Sequence, residues 1–173
     1  MAESWRTVLR LQHQPACLIL SRQPLPTLDR SRFASAAGVA RGAYVLADLG
    51  GTPPKVILIG TGSEVSLCVT ARERLAAEKI KARVVSMPSW ELFERQDEQY
   101  RKRVLPPQIR ARVTVEAGSV IGWDRYAGAS GAIIGMRSFG ASAPFKDVLK
   151  KFGFTPENVL AAAKAQIAAS KHQ

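Results

Sequence analysis

Hydrophobic positions along this chain recur with two different periods, and the change of period predicts strands alternating with helices. Residues 55–60, KVILIG, form a short apolar run of the kind that parallel sheets bury on both faces. Beyond this run the apolar positions take helical spacing, as at Val65, Cys68 and Val69. A later run at 81–87, KARVVSM, returns to strand character. These segments predict a strand–helix–strand unit within a parallel sheet.

The rest of the chain extends this pattern to an α/β domain. We predict further strands at 16–22, 42–49, 111–118 and 131–136, and helices at 4–11, 88–106 (as one or two), 144–152 and 156–170. Thr155 is the predicted N-cap of the last helix, and Pro156 its first residue. The predicted fold is a mostly parallel, twisted sheet of about five strands with helices on both faces.

A glycine turn, GTGSE at 60–64, joins the apolar strand to the following helix and is the first candidate site. Ser63 is the predicted N-cap of that helix. The backbone around Thr61, Gly62 and Ser63 could direct N–H groups at an anion. Glu64 stands in the first turn, where the helix dipole favours an acid, and an acid there repels phosphate. The turn therefore has two interpretations, an anion site or a simple reversal of the chain.

Composition limits the class of protein. The 173 residues are 46% hydrophobic and 23% charged, which is typical of one globular domain. The apolar runs are far shorter than the roughly 20 residues that cross a bilayer, and the N-terminus shows no apolar signal core. We therefore predict a cytoplasmic protein without a membrane partner. Cys17 and Cys68 lie in apolar stretches, which favours two buried, reduced thiols over a disulfide or metal pair.

The formal charge of +11 raises the possibility of a nucleic-acid partner. The basic residues are, however, scattered in twos and threes, as in IRAR at 109–112, and form no long block or single helical stripe. We predict no nucleic-acid binding. A surface that attracts anionic metabolites or an acidic partner accounts for the charge equally well.

Catalytic motifs are missing from the sequence. It has no GxSxG, no GxxxxGK[ST] and no HExxH, and its two histidines, His13 and His172, lie away from predicted strand ends. Glu116 ends a predicted strand, but a lone carboxylate is more often a structural acceptor. Trp123 and Tyr126 could stack on a ligand, although packing is the more usual role. The residues alone predict no catalytic residue and no metal site.

Six segments together identify a family, and they occur in that family's order along nearly the whole chain. They are LSRQPLPTLDR (20–30), VARGAYVLAD (39–48), IGTGSEVSL (59–67), RVVSMPSWELFERQDEQYR (83–101), VEAGSVIGWDRYAG (115–128) and GMRSFGASAP (135–144). All six resemble transketolase. The resemblance covers only the C-terminal part of that enzyme.

The resemblance implies a division of the chain. Residues 1–37 resemble the end of the pyrimidine-binding domain, a helix and a strand, with a linker, and residues 38–173 resemble the C-terminal domain. The complete enzyme uses thiamine diphosphate and a divalent metal, Mg or Ca, to transfer a two-carbon ketol unit between sugar phosphates. Its GDG metal–diphosphate motif has no counterpart here. We therefore expect this chain alone to bind no cofactor and to be inactive.

One functional residue of the family carries over. The arginine of its LSRQ segment contacts the substrate phosphate, and Arg22 stands at that position. A guanidinium can fork onto two phosphate oxygens, which suits this role. The sequence departs from the family at Pro24, where asparagine is usual, and at Arg137, where an acid is common; the second change has no functional explanation. Since the family's active site lies between its first two domains, Arg22 is a better phosphate candidate than the glycine turn.

Three interpretations of the chain stay open. It is a subunit of a split transketolase that works with a cofactor-binding N-terminal portion, or a separated fragment of an ordinary chain. The alternative is an independent anion- or nucleotide-binding regulatory module that uses the helix start at Ser63. The family resemblance also implies a homodimer, with sugar phosphates as ligands of the assembled enzyme only.

Overall fold

Five strands form one sheet at the centre of the protein. The structure is a computed structural model that describes residues 1–48 and 50–170. The strands are β1 Tyr44–Ala47, β2 Val56–Gly60, β3 Ala82–Ser86, β4 Arg112–Ser119 and β5 Ala132–Met136. Their order is β1-β3-β2-β4-β5, with β1 antiparallel to β3 and the other neighbours parallel. The predicted mostly parallel sheet is confirmed, and Leu49, the last residue of the predicted strand 42–49, lies outside the described residues.

Helices cover both faces of the sheet, as predicted. They are α1 Ala2–Val8, α2 Val65–Ala77, α3 Trp90–Glu94, α4 Glu98–Val104, α5 Asp124–Ala127, α6 Phe145–Lys151 and α7 Pro156–Ala169. Helix α2 leads from β2 to β3, and α3 and α4 then lead back to β4 on the other side of β2. This reversal places α2 and α7 against one face and α3 to α5 against the other.

Strand β2 is the middle strand of the sheet, and all of its residues are buried in the core. Leu58 packs with the core under α2 and α7, whereas Ile57 and Ile59 pack with the aromatic core under α3 to α5. Thr114 of β4 is polar but only 1% exposed, because the sheet is covered on both sides.

The N-terminal segment differs from the prediction. Helix α1 begins and ends earlier than the predicted helix at 4–11, and it buries no residue. The predicted strand 16–22 is wrong: these residues form no strand, and Ile19 is 92% exposed. A lone extended segment has no neighbour to take its backbone N–H and C=O groups. The predicted burial of both thiols is wrong for the same reason, because Cys17 is exposed while Cys68 is buried.

Local capping signals define the last helix. The Thr155 hydroxyl accepts a hydrogen bond from the Asn158 N–H at 3.2 Å, and Pro156 is the first helical residue, as predicted. Across residues 1–48 and 50–170, the helices are too short or too polar to cross a bilayer.

Candidate functional site

The glycine turn after β2 contains an extra turn of 3₁₀ helix, Gly62–Glu64, before α2 begins at Val65. Gly62 adopts a φ of +52°, a conformation that suits glycine. The predicted N-cap at Ser63 is wrong, because the 3₁₀ turn moves the start of α2 past it. The Ser63 hydroxyl instead donates to the Glu64 carboxylate at 2.5 Å.

Glu64 links this turn to the neighbouring strand. Its side chain is buried, and its Oε2 accepts a hydrogen bond from the Ala117 N–H of β4 at 3.2 Å. The carboxyl ends of β2 and β4 flank the point where the strand order reverses, which is the usual ligand crevice of an open α/β sheet. Here the protein's own carboxylate occupies that crevice.

This placement bears on the predicted anion site. Thr61 and Ser63 are half-buried and Gly62 is exposed, and a cavity of about 130 Å³ lies beside Gly62 and Ser63. A negative charge on Glu64 at the same helix start weakens the attraction of any anion to these N–H groups. Anion binding at the turn stays a prediction, and the geometry favours the alternative that it shapes the chain.

Arg22 lies in an exposed bend of the connector that precedes the sheet. Within residues 1–48 and 50–170 its guanidinium enters no ion pair. Leu25 lines the same cavity as Gly62 and Ser63. Since Arg22 is three residues before Leu25, their Cα atoms are at most about 11 Å apart. Arg22 itself does not line that cavity, and its phosphate role stays a prediction.

The residues considered for stacking pack inside the domain, which confirms the structural alternative. Trp123 is 1% exposed, and its indole N–H donates to the Glu116 carboxylate at 2.5 Å. Trp90 meets Trp123 edge to face at 5.0 Å between ring centroids. Tyr126 donates its hydroxyl to Glu94 at 2.9 Å. Burial, aided by Glu94, raises the pKa of Tyr126 to about 12.

Metal ligands do not converge in the part of the chain that the structure describes. No group of three or more His, Cys, Asp or Glu side chains there could hold an ion. His13 is exposed in the segment after α1, and His172 lies outside the described residues.

Two larger cavities were not evident from the sequence. One of about 580 Å³ separates α1 and residues 14–19 from the start of α3. The other, of about 320 Å³, is lined by Arg110 and Arg112 together with the loop 127–130. The IRAR segment at 109–112 indicated only scattered surface charge. The cavity could not be predicted from it, because the opposite wall is a loop distant in sequence.

Comparison with known protein families gives one clear match. Residues 42–155 match the family model of the transketolase-like TK C-terminal domain. The transketolase of Aquifex aeolicus (strain VF5) is 47% identical over 156 residues, which are 90% of this chain and 22% of that protein. Transketolase 1 of Escherichia coli (strain K12) is 50% identical over 163 residues, 94% of this chain and 24% of that protein. The chain thus spans about a quarter of the length of these relatives.

Solved structures agree. A transketolase from Pichia stipitis in complex with sedoheptulose-7-phosphate has a TM-score of 0.77 at 37% identity, covering 88% of this chain and 21% of that one. The transketolase from Leishmania mexicana has a TM-score of 0.70 at 40% identity, covering 79% of this chain and 19% of that one. A split gene transketolase, described as an inactive beta4 tetramer, shares the fold with a TM-score of 0.61 at 24% identity; the match covers 85% of this chain and 48% of that one.

Proposed function

This chain belongs to the transketolase family, and we propose that it is the C-terminal portion of an assembled transketolase that transfers a two-carbon ketol unit between sugar phosphates. One observation carries the proposal. Eight transketolases are 40–50% identical to 90–96% of this chain, within a region that makes up only 22–25% of their own length.

The proposed partner is a cofactor-binding N-terminal portion of the enzyme, in a separate chain or in the same one. Residues 1–37 would belong to the preceding pyrimidine-binding domain, and residues 38–173 would form the C-terminal domain. The apolar surface of the first segment supports this division. Trp5 is 50%, Leu9 78% and Ile19 92% exposed, and such a surface is typical of one that another domain covers.

The cofactor chemistry is assigned elsewhere in the assembly. Thiamine diphosphate supplies the carbanion chemistry of ketol transfer when it is bound, and a divalent metal, Mg or Ca, holds its diphosphate. The described residues offer no cluster of three ligands for such a metal. We therefore assign this chain no step of that chemistry, and propose that it contributes structure, assembly, dimer formation and substrate positioning in the cytoplasm.

Arg22 is the residue proposed to act on the substrate. Its exposed guanidinium, which has no ion-pair partner among the residues that the structure describes, could form two parallel hydrogen bonds with a sugar phosphate. Such a contact would orient the sugar without touching the bond that breaks.

The test combines this chain with the cofactor-binding portion of a related transketolase. Ketol transfer is expected in the mixture and in neither part alone. In the mixture, Arg22→Ala should raise KM for a phosphorylated sugar about 10- to 100-fold, the effect of losing a charge-assisted hydrogen bond, and leave transfer from an unphosphorylated donor unchanged. Arg30→Ala is the matched control, since Arg30 is an exposed arginine of the same connector.

Two outcomes would contradict the proposal at different points. A mixture that forms neither a complex nor an active enzyme would remove the assembled-transketolase function. An active mixture in which Arg22→Ala behaves like Arg30→Ala would remove only the phosphate role of Arg22.

A further inference from the structure

A cleft of about 320 Å³ opens at the amino ends of β4 and β5, and two arginines line it. Arg112 is the first residue of β4, and the loop 128–130 comes just before β5. The cleft therefore lies at the amino ends of the strands, whereas Glu64 accepts its hydrogen bond near the carboxyl end of β4. Among the described residues, none that lines the cleft is acidic.

Arg112 carries a fixed, half-buried charge into this cleft. Its guanidinium donates to the carbonyl oxygens of Ile109, Tyr126, Pro106 and Leu105 at 2.9, 2.9, 3.0 and 3.4 Å, which leaves one Nη1–H without an acceptor among the described residues. These neutral acceptors hold the guanidinium plane in place but leave its positive charge unbalanced, and no described carboxylate pairs with it. Burial also lowers the pKa of Arg112. A partly desolvated cation of this kind gains from a counter-anion.

Arg110 supplies a second charge. It is exposed, and its side chain makes no hydrogen bond or ion pair with any residue that the structure describes. A guanidinium offers five N–H donors in a planar fork that matches the oxygens of a phosphate. Arg110 and Arg112 together provide two unbalanced positive charges beside one cleft.

The loop opposite the arginines adds uncharged donors. Gly128 adopts a φ of +81°, and the space where its side chain would stand is open. The backbone N–H groups of Ala129 and Ser130 donate to no described residue, whereas Gly131 closes the turn by donating to the Gly128 carbonyl at 3.2 Å. Ser130 also lines the cleft.

We propose that this cleft binds a phosphate group through Arg110 and the loop donors of Ala129 and Ser130, with the positive charge of Arg112 and its remaining Nη1–H beside them. A phosphate presents several acceptor oxygens and up to two negative charges, which matches two guanidinium groups and adjacent N–H donors. The volume leaves room for a small organic group attached to the phosphate, so the source is inorganic phosphate or a small phosphate monoester. The proposal is independent of ketol transfer and of Arg22.

The test follows backbone amide signals by NMR while inorganic phosphate or glycerol phosphate is added to the full chain, at about 0.15 M salt so that long-range charge effects are screened. Saturable shifts are expected at Ala129 and Ser130. Arg110→Ala should weaken binding about tenfold, the cost of a lost hydrogen bond between charged groups. Arg137→Ala removes the same charge after the far end of β5 and should leave binding unchanged.

Two results would overturn the proposal: no saturable shift at these amides with either ligand, or equal weakening by Arg110→Ala and Arg137→Ala. Ser130→Ala is a second variant that preserves net charge and should weaken binding about threefold, a modest loss for one neutral donor. Tighter binding of glycerol phosphate than of inorganic phosphate identifies a metabolite as the ligand, whereas equal binding identifies the phosphate group itself.

Discussion

At the scale of single residues, Glu64 determines the character of the crevice between β2 and β4. Its carboxylate accepts one hydrogen bond from the Ser63 hydroxyl and another from the Ala117 N–H. Its removal would leave the Ala117 N–H without that acceptor. The buried carboxylate therefore ties the glycine turn to the sheet.

Glu64→Ala should lower the free energy of unfolding by about 1–3 kcal/mol, the loss of the hydrogen bonds that its buried carboxylate accepts from Ser63 and Ala117. Glu64→Gln keeps an acceptor oxygen and should cost less. The measurement is urea unfolding at neutral pH. Glu73→Ala is the control, because Glu73 forms an exposed ion pair with Arg32 and should change stability by less than about 1 kcal/mol. Equal losses in Glu64→Ala and Glu73→Ala would contradict the structural role of Glu64.

Tyr126 should make stability depend on alkaline pH. Its pKa rises from 10.0 to about 12, because the hydroxyl is buried and donates to Glu94. The folded state thus holds this proton more tightly, so the stabilisation is complete below pH 10 and is lost as the pH rises towards 12. Tyr126→Phe should show a shallower fall in unfolding free energy across that range. An unchanged slope in Tyr126→Phe would assign the pH dependence to other groups.

The residues predicted correctly are those whose roles are local. Thr155 caps α7 as its sequence signal indicates, since the capping bond spans only three residues. Ser63 carries the same signal and fails to cap, because a 3₁₀ turn precedes α2 and the Ser63 hydroxyl donates to the Glu64 carboxylate instead. The phosphate role of Arg22 rests on family resemblance and stays a prediction, since its proposed partner is a ligand rather than a residue of this chain.

At the scale of elements, the central strands were predictable because β2 is an apolar run between turn signals and β4 alternates Val113 and Val115 with polar residues. The segment 16–22 has an equally apolar run and forms no strand. Whether such a run becomes a strand depends on a neighbouring strand to pair with, which the sequence of the run does not specify. The exposed Ile19 and half-buried Leu18 of this run indicate a segment that lacks a sheet partner within the described residues.

Hydrogen exchange should separate these two kinds of segment. Amides of residues 9–20 should exchange quickly in a dilute monomer, since they have few backbone partners, whereas those of β2 and β4 should be among the slowest. Exchange followed residue by residue provides the measurement. Strong protection across residues 9–20 in the monomer would show that this segment is stably packed without a partner.

At the scale of the whole molecule, the exposed apolar side chains concentrate near the N-terminal segment, while the net charge of +11 acts over the entire surface. The charge opposes association between identical chains, and the apolar surface favours it. Raising the salt concentration screens the charge and leaves the apolar surface in place. Self-association should therefore increase with salt.

Light scattering of the full chain should show an apparent mass that rises with protein and salt concentration. The double variant Leu9→Ser, Ile19→Ser should reduce this rise, because it removes two of the most exposed apolar side chains of the segment. Phe139→Ser is the matched control, an equally exposed apolar residue in the loop after β5. A monomer at all concentrations, or an equal effect of Phe139→Ser, would exclude this surface as a site of self-association.

The cleft at Arg110 and Arg112 could not be predicted from the sequence. Its walls come from Pro107, Arg110 and Arg112 and from residues 127–130, and only the folded sheet brings them together. The sequence shows the arginines as ordinary surface charge, since the carbonyl oxygens that fix Arg112 belong to the backbone and carry no residue signal.

The arrangement of the three tryptophans gives the protein two separate optical signals. Trp90 and Trp123 touch within the aromatic core, so their fluorescence should shift to longer wavelength only when the domain unfolds. Trp5 is half exposed on α1, so its emission should move to shorter wavelength when a partner covers that helix. A Trp5→Phe variant would retain only the signal from Trp90 and Trp123. The difference in emission between the unsubstituted protein and this variant would then report assembly without any added label.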